Sequence, residues 1–344
     1  MKIWKFGIIG AGMIADTHAQ AILSLGNTGL IGFCDSGSGK AKTLAIKYSC
    51  KAFDNYHELL CDPDIDIVII ATPSGKHLEP AVEAAKHGKH VLCEKPLEIT
   101  PERIDAMIAA HEKRGTFLGG IFNFRFNESL APLKNAIESG RFGTLTYASV
   151  HVPWWRSDEY YKSNWRGTWK LDGGGALMNQ GIHMVDLLQY LMGPVDSLQA
   201  FTATLGHATI EVEDTAVSIL KFRNNALGFI YGTTASYPGQ FRRLEITGTR
   251  GSVVMVENSI TVWQFAEETA ADTEIRKKYS AIEGGGGVSN PAAISFINHA
   301  RNIEAFITAI EEKKKFEIDG QEARKAVEII CGIYRSAGEK QNII

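Results

Sequence analysis

The sequence contains few cysteines, and their arrangement indicates neither a metal site nor a disulfide framework. There are five in 344 residues, an odd number, and no pair has the CxxC spacing. Scattered thiols of this kind are more often buried or incidental than bonded to a metal or to each other. We therefore expect free thiols, no metal centre and a reducing compartment, the cytoplasm.

The chain also lacks a basic block and a long hydrophobic run. Its 36 lysines and arginines are balanced by 39 aspartates and glutamates, so the formal net charge is -3. Nucleic acid is therefore not an expected partner. The stretch 1–16 is too short in its apolar part and too rich in glycine to span a membrane, and it has no small-residue cleavage pattern. We expect neither a membrane anchor nor a signal peptide.

The pattern of hydrophobic residues changes near residue 122. Before it, short apolar runs such as 65–70 alternate with amphipathic stretches such as 78–87, which predicts parallel strands joined by crossover helices. After it, segments such as 215–222 alternate with period two, which predicts an open, mostly antiparallel sheet. Because 344 residues exceed what one core usually serves, we predict two domains. These are an α/β domain at 1–122 and an α+β domain at 123–344.

A glycine-rich turn lies between the first predicted strand and the first predicted helix. Gly10 would permit a tight turn, Gly12 the close approach of a pyrophosphate, and Ala15 tight packing of helix on strand. Met13 and Ile14 complete the turn and are candidate cofactor contacts. Glycine-rich turns also occur for purely steric reasons, but the position between strand and helix favours a dinucleotide site.

Asp35 strengthens this interpretation, because it ends the second predicted strand twenty positions after Ala15. A carboxylate there accepts hydrogen bonds from the adenosine ribose and repels a 2′-phosphate. NAD is therefore the preferred cofactor. NADP is the second candidate, since Lys40 or a loop movement could accommodate the phosphate. The domain at 1–122 is thus predicted to be a dinucleotide-binding Rossmann domain.

Two further strands are predicted to end at the same edge of the sheet, where ligands of open α/β sheets lie. After the first of them, Thr72, Ser74 and His77 are candidates to touch the cofactor, although a turn hydroxyl and a helix-start histidine are equally ordinary readings. After the second come Glu94 and Lys95. A lysine at a strand exit is usually just solvated, but this one would emerge where the nicotinamide ring is expected.

Three stretches of the chain are characteristic of one family: "GIIGAGMIADTHAQAI", "ATPSGKHLEPAVEAAKHGKHVLCEKPL" and "GGGALMNQGIHMVDLL". In these stretches the chain resembles the glucose-fructose oxidoreductase, inositol dehydrogenase and MocA family of NAD(P)-dependent oxidoreductases. The resemblance implies that Lys95 lies beside the nicotinamide, with a cis Lys-Pro peptide, and that His183 is the catalytic histidine. It matches Asp186 to an acidic residue that supports structure or orients His183.

The same resemblance implies a substrate site in the domain at 123–344. Asn179, four residues before His183 and so on the same face of a helix, stands where many relatives carry aspartate. An amide cannot take a proton, but it can hold a sugar hydroxyl. The other candidate substrate contacts are Trp165, Arg166, Tyr160 and Asn123, although an interface or a packed loop would also explain so aromatic a segment.

These residues predict an enzyme that transfers hydride between a nicotinamide cofactor and a ring hydroxyl or ketone of a sugar, cyclic polyol, glycoside, uronate or nucleotide-sugar. A non-catalytic sensor of NAD(P) or sugar on the same fold is the alternative, and a reductase of an imine or tetrapyrrole is a third reading. The resemblance also implies a homodimer or homotetramer that packs through the outer face of the sheet at 197–256.

Overall fold

The computed structural model describes residues 2–163, 165–282 and 295–338. Their Cα positions form two compact units. One comprises Met1–Asn123, Lys170–Gly173 and Ile294–Val327, and the other comprises Phe124–Trp169, Gly174–Ala293 and Glu328–Ile344. The first unit therefore includes chain from well beyond residue 122, and the domain boundary proposed there stays a prediction.

The first unit is built on a six-stranded sheet in the order β3-β2-β1-β4-β5-β6, in which every pair of neighbours is parallel. Its apolar strands are buried on both faces, as a sheet covered by crossover helices requires. This confirms the predicted Rossmann-type sheet. The strands are β1 (Trp4–Ile9), β2 (Thr28–Cys34), β3 (Lys51–Phe53), β4 (Ile67–Ile70), β5 (His90–Cys93) and β6 (Leu118–Gly120).

Helices connect these strands, and local chemistry sets where several of them begin. The Thr100 side chain accepts a hydrogen bond from the Arg103 amide, and Pro101 occupies the first helical position of the next helix, as N-cap and first-turn preferences favour. The helices of this unit are α1 (Met13–Ser24), α2 (Lys40–Tyr48), α3 (Tyr56–Cys61), α4 (Leu78–Lys86), α5 (Pro101–Arg114) and, later in the chain, α10 (Ile297–Glu312).

The second unit is built on a seven-stranded sheet in the order β13-β12-β11-β7-β10-β9-β8. Only the β7 and β10 pair is parallel, so the predicted mostly antiparallel sheet is confirmed. The strands are β7 (Leu145–Pro153), β8 (Val195–Ala203), β9 (Thr215–Phe222), β10 (Leu227–Thr233), β11 (Arg243–Gly248), β12 (Gly251–Val256) and β13 (Ser259–Phe265).

One face of this sheet is covered and the other is exposed. In β9, Ala216, Leu220 and Phe222 are buried, whereas Ile219 between them is 57% exposed. Phe201 on the neighbouring β8 is 74% exposed. The helices of the second unit are α6 (Leu130–Glu138), α7 (Asp158–Tyr161), α8 (Ile182–Met192) and α9 (Ala270–Tyr279), and α11 (Gly320–Gly338) runs from the first unit into the second.

The helix predicted to follow the three glycines differs from the expectation. Ala176–Gly181 is a π-helix, and α-helical geometry begins only at Ile182. The four-residue spacing that placed Asn179 and His183 on one face assumes α geometry, and the first of these residues lies in the wider π turn. The shared face is therefore not a consequence of the spacing.

A buried ion pair anchors α8. Both nitrogens of one edge of the Arg125 guanidinium donate to the Asp186 carboxylate, at 2.7 and 2.6 Å. The two side chains are 2% and 1% exposed. Arg125 also lies 4.2 Å from the centroid of the Tyr190 ring, one turn further along the helix. Because a buried bidentate pair fixes direction as well as distance, Asp186 holds α8 to the short turn that contains Arg125 and precedes α6.

Across the described residues, every helix is too short or too polar to cross a bilayer.

Candidate active site

The carboxyl ends of β1, β4 and β5 lie side by side, because β4 pairs with both of its neighbours in parallel register. The segments that follow these strands therefore leave the sheet at one edge. They are the glycine turn at 10–13, the segment 71–77 and the Glu94-Lys95 pair. The predicted cofactor residues in these segments therefore lie along one edge of the sheet, as expected for strands that are parallel and adjacent.

The glycine turn is shaped for close approach of a ligand. Gly10 has φ of +104°, and a Cβ at this position would lie 2.4 Å from the Ala71 carbonyl oxygen. At Gly12 a Cβ would meet nothing within 4 Å. Gly10 is thus required by the fold, whereas Gly12 leaves open space at the start of α1. Of the neighbouring residues, Met13 is 56% exposed and Ala15 is fully buried.

The first turn of α1 suits an anion. Among the described residues, no side chain caps this turn, which begins at Gly12. The Ala15 amide donates to the Gly12 carbonyl at 3.1 Å. The partial positive charge at the start of α1 favours an anion such as a phosphate. The open space at Gly12 and the neighbouring carboxylate of Asp35 fit a dinucleotide.

Asp35 lies where the sequence predicts it, at the end of β2, but its carboxylate is already engaged. It accepts hydrogen bonds from the Gly37 and Ala41 amides at 2.8 and 2.9 Å, and from the amide and hydroxyl of Ser38 at 3.2 and 2.6 Å. Burial opposes ionisation, but these bonds outweigh it and hold the pKa of Asp35 below its ordinary value. Four donors match the four lone-pair positions of a carboxylate, so a ribose hydroxyl would share or replace one of them.

The segment after β4 contains the other candidate cofactor residues. The Thr72 hydroxyl donates to the Lys76 carbonyl, at 3.1 Å, and Ser74 is buried in the short turn that follows. His77 is 1% exposed. One of its ring nitrogens lies 3.0 Å from the Pro96 carbonyl and the other 3.0 Å from the Thr72 carbonyl. His77 therefore ties the segment after β4 to the Glu-Lys-Pro segment after β5.

The Glu94 carboxylate binds the backbone of Lys95. One Glu94 oxygen lies 2.8 Å from Nε2 of His18, and the other accepts the Lys95 amide at 3.0 Å. Burial opposes the charge of Glu94, but the hydrogen bond with His18 and the electrostatic effects of His18, His299 and Lys95 together outweigh it and lower the pKa to about 2. The Lys95-Pro96 peptide is cis, as the resemblance implied. The backbone that carries the Lys95 amine is therefore held by an ionised, buried carboxylate.

His299 completes a buried group with His18 and Glu94. Its ring meets that of His18 edge to face at 5.1 Å, and burial lowers its pKa to about 4. Asn123, a predicted substrate contact, lies 3.5 Å from Nδ1 of His299. Two histidines and a glutamate with ligand atoms within 4.8 Å of one another have the composition of a metal site. The direct 2.8 Å hydrogen bond between His18 and Glu94 accounts for the group without an ion.

In the second unit, the Gln180 amide joins two of the predicted substrate residues. It donates to the Tyr160 hydroxyl at 2.8 Å and to the Asn179 side-chain oxygen at 2.9 Å. Its own oxygen accepts a 2.7 Å hydrogen bond from Arg156, which is 3% exposed. Arg166 lies over the Tyr160 ring, 4.3 Å from its centroid. These contacts place two guanidinium groups and two amides around one tyrosine.

Trp165 belongs to the same cluster, because the Arg166 guanidinium lies 5.0 Å from the centroid of its indole ring. His183 is oriented separately. Its ring stacks on that of Phe124 with 4.4 Å between centroids, and the Arg242 guanidinium also lies 4.0 Å from the centroid of the Phe124 ring.

The structure thus places Lys95 at the same sheet edge as the predicted cofactor residues of the first unit. In the second unit it brings Tyr160, Trp165, Arg166 and Asn179 together through Gln180 and ring contacts. His183 instead lies against Phe124. Sequence analysis did not identify His18, His299 or Gln180. Gln180 stands beside Asn179 in the quoted glycine-rich stretch, so its position was a usable signal. His18 and His299 are 281 positions apart and have no local pattern.

A parallel sheet with a glycine turn at its carboxyl edge defines the class of the first unit, a Rossmann-type dinucleotide-binding fold. Comparison with known families agrees. Residues 4–120 match the model of the oxidoreductase family with an NAD-binding Rossmann fold, and residues 130–254 match the GFO/IDH/MocA C-terminal domain. The chain belongs to the Gfo/Idh/MocA family and is an NAD-dependent oxidoreductase.

Three relatives illustrate the similarity. The chain is 34% identical to a WlbA dehydrogenase from Bordetella pertussis, solved with NADH and UDP-GlcNAcA, with coverage of 98% of this chain and 96% of that one and a TM-score of 0.89. It is 30% identical to the uncharacterized oxidoreductase YrbE of Bacillus subtilis over 79% of this chain and 78% of the relative. It is 27% identical to the myo-inositol 2-dehydrogenase of Thermotoga maritima, over 94% and 96%. All three are oxidoreductases, which favours the enzyme over the non-catalytic sensor.

Two substitutions separate the structural glycine from the one that leaves space for the cofactor. Gly12→Ala should change the free energy of unfolding by less than about 1 kcal/mol, because its Cβ meets no atom. It should weaken NAD binding at least roughly tenfold, or about 1.4 kcal/mol. Gly10→Ala should instead destabilise the fold by about 2–5 kcal/mol, through its positive φ and the clash with Ala71. Denaturant unfolding and calorimetric titration with NAD measure both. A Gly12→Ala protein that binds NAD normally would contradict the assignment.

Proposed function

We propose that the protein is an NAD-dependent dehydrogenase that oxidises a ring CH-OH group of a nucleotide-linked uronate sugar, of the UDP-N-acetylglucosaminuronate type. The observation that carries the proposal is the 34% identity to the WlbA dehydrogenase over 98% of this chain, compared with 27% for an inositol dehydrogenase over a similar span. The two arginines grouped around Tyr160 support it, because guanidinium groups bind carboxylate and phosphate in bidentate geometry.

The first unit would hold the cofactor. The first turn of α1 would receive the pyrophosphate at Gly12, with Met13 and Ile14 alongside, and Asp35 would bind the adenosine ribose, which favours NAD over NADP. Thr72, Ser74, His77 and Glu94 line the same edge of the sheet, but the structure engages His77 and Glu94 with protein groups. We therefore assign these two residues to holding the edge in shape. Bound NAD would accept the hydride that leaves the sugar carbon.

Lys95 and His183 would handle the proton of the reacting hydroxyl. A lysine titrates ordinarily near ~10.4, so Lys95 suits a fixed cation that stabilises the developing alkoxide. A histidine titrates ordinarily near ~6.5, which suits His183 to accept the proton and relay it to solvent. Stacking on Phe124 restricts the plane of the His183 ring before substrate binds. The cationic neighbour of Phe124, Arg242, is itself held by Glu257 at 2.7 Å.

The residues around Tyr160 would bind the sugar. Asn179 would hold a ring hydroxyl without competing for its proton, because an amide donates and accepts but does not titrate. Trp165 offers an apolar face to a sugar ring. Arg166 would pair with the uronate carboxylate or the diphosphate. Asn123 remains a proposed contact, and in the first unit it lies beside His299.

We also propose a homo-oligomer in a reducing cytoplasm, without a nucleic-acid partner. The outer face of the second sheet carries Phe201, Ile219 and Leu227, which are 74%, 57% and 59% exposed. Adjacent exposed apolar side chains of this kind mark interaction surfaces. Five cysteines that form no disulfide fit a reducing cytoplasm. A net charge of -3 does not favour binding to nucleic acid. A monomeric mass at micromolar concentration in analytical ultracentrifugation would contradict the oligomer.

A substrate panel tests the proposed function directly. Purified protein with NAD is given UDP-N-acetylglucosaminuronate, UDP-N-acetylglucosamine, myo-inositol, a glycoside and free glucose, and the absorbance of reduced nicotinamide is followed. We expect the highest kcat/KM with the nucleotide-linked uronate, because it is the compound in the panel that offers both a carboxylate and a diphosphate to the arginines. A preference for myo-inositol or for free sugars would reject the nucleotide-sugar assignment.

Removal of either proposed proton-handling group should slow the reaction. Lys95→Ala and His183→Ala should each lower kcat by roughly 10²–10⁴-fold, the usual contribution of acid-base catalysis, while the Kd for NAD changes little. Matched controls are Lys113→Ala and His57→Ala, which remove an exposed lysine and an exposed histidine elsewhere in the first unit. Single-turnover measurement of reduced nicotinamide gives the rate of the chemical step. A variant at Lys95 or His183 with half the wild-type rate would show that the residue has no such role.

A further inference from the structure

The chain that leads into the π-helix passes Glu213 and Tyr334 at a distance that only glycine permits. A Cβ on Gly175 would lie 1.8 Å from the Glu213 carbonyl oxygen, and a Cβ on Gly174 would lie 2.2 Å from the Tyr334 hydroxyl. Gly174 also has φ of +155°. The two glycines therefore allow close contact with these two residues.

The amides that begin the π-helix are all bound by one residue. The Glu213 carboxylate accepts the Gly175 amide at 2.8 Å and the Leu177 amide at 2.9 Å. Between them, the Ala176 amide donates to the Glu213 backbone carbonyl at 3.1 Å. The Tyr334 hydroxyl donates to the same carboxylate at 2.9 Å. The first amides of a helix are usually capped by a nearby serine or aspartate, whereas this cap comes from more than 30 residues away in the chain.

This cap lies at the N-terminal end of the helical segment that carries the proposed catalytic histidine. The π-helix Ala176–Gly181 is followed at once by α8, whose second residue is His183. A π-helix is rare and only marginally stable by itself, and it is found mostly at functional sites. The position of Asn179 and His183 along the segment depends on where its first turn is anchored.

We infer that Glu213, assisted by Tyr334, is a positioning residue that anchors the π-helix and so sets the place of Asn179 and His183. The inference rests on the proposed function, because it takes His183 as the proton relay. Nothing in the sequence pattern assigns a role to Glu213 or Tyr334. Neither residue would contact the substrate, since both act through the backbone of the glycine stretch.

The charge of Glu213 makes this role measurable. The residue is 4% exposed, and burial raises its pKa to about 7 even though the two amides and the phenol favour the ionised form. The titratable groups near it are Asp214, the next residue in the chain, whose carboxylate is bound by the amides of residues 205–207, and Tyr334 with Cys331 on α11. Burial raises the pKa of Tyr334 well above its ordinary value, so the phenol stays a donor.

The pH dependence has opposite signs for anchoring and for overall stability. The ionised carboxylate accepts all three donors, whereas the protonated form becomes a donor at one oxygen, so anchoring strengthens as pH rises through about 7. The folded-state pKa is above the ordinary value of 4.5, so the folded state favours the neutral carboxyl. Its contribution to stability is present at low pH and is lost as pH rises from the ordinary value through about 7.

Glu213→Gln tests the anchor, with Glu211→Gln as its matched control. The amide of glutamine would face the Gly175 amide donor to donor. Glu211 is exposed, two residues away, and accepts one backbone amide, that of Trp169, at 3.1 Å. For Glu213→Gln we expect faster hydrogen-deuterium exchange confined to residues 174–183 and a loss of about 10²-fold in kcat, the scale of a 1 Å misplacement of a catalytic group. The Kd for NAD should stay unchanged. Glu211→Gln should match the wild type in all three measurements.

A second variant tests the ionisation. Tyr334→Phe keeps the carboxylate but removes one hydrogen bond that favours the ionised form, so the acidic limb of the kcat profile should move to higher pH. In Glu213→Gln the part of that limb that comes from Glu213 should be lost, and the part that comes from His183 as proton acceptor should remain. If Glu213→Gln does not fold, the shift in Tyr334→Phe decides the question.

Wild-type exchange at 174–183 with wild-type kcat in Glu213→Gln would overturn the anchor, as would an unshifted limb in Tyr334→Phe. A loss of kcat accompanied by faster exchange throughout the second unit would also overturn it, because that pattern indicates general destabilisation. A wild-type enzyme inactive on every sugar, with exchange at 174–183 still faster in Glu213→Gln, would reject the proposed function and leave the anchor standing.

Discussion

The parallel register of β1, β4 and β5 is the constraint on which the cofactor edge depends. Ile9, Ile70 and Cys93 lie in one row across these strands, and backbone hydrogen bonds continue the row by one step, from the Ala71 amide to the Ile9 carbonyl and from the Glu94 amide to the Ile70 carbonyl. The three segments therefore leave the sheet at the same height. A slip of one residue would turn every side chain of a strand to its opposite face.

Buried carboxylates hold the segments that carry the proposed chemistry, and their partners decide their charge. Burial raises the pKa of Glu94, but the hydrogen bond with His18 and the electrostatic effects of His18, His299 and Lys95 together outweigh burial and keep this pKa low. Glu213 receives only neutral donors, so burial prevails and its pKa is raised. Asp186 instead has a full cationic partner in Arg125. Each buried charge is compensated by hydrogen bonds or by an opposite charge, as the loss of hydration requires.

Sequence periodicity predicted the elements that have a clear pattern. The strand Thr215–Phe222 was predicted with the bounds that the structure has. The strand β6 was missed because its three residues, Leu118–Gly120, include two glycines, and its identity comes only from pairing with β5. The long strand β7 was also missed, and the π-helix was predicted as ordinary helix because the two differ by one residue in hydrogen-bond spacing.

The sequence alone determined the class of protein, since the glycine turn, the acidic residue after β2 and the Glu-Lys-Pro segment act through backbone geometry and local order along the chain. Only the tertiary structure decided which groups support them. His18 and Glu94 are 76 positions apart, and Glu213 binds amides 36 and 38 positions before it. Such pairs have no period and no spacing rule, because burial and hydrogen bonding depend on distance in space after the chain has folded.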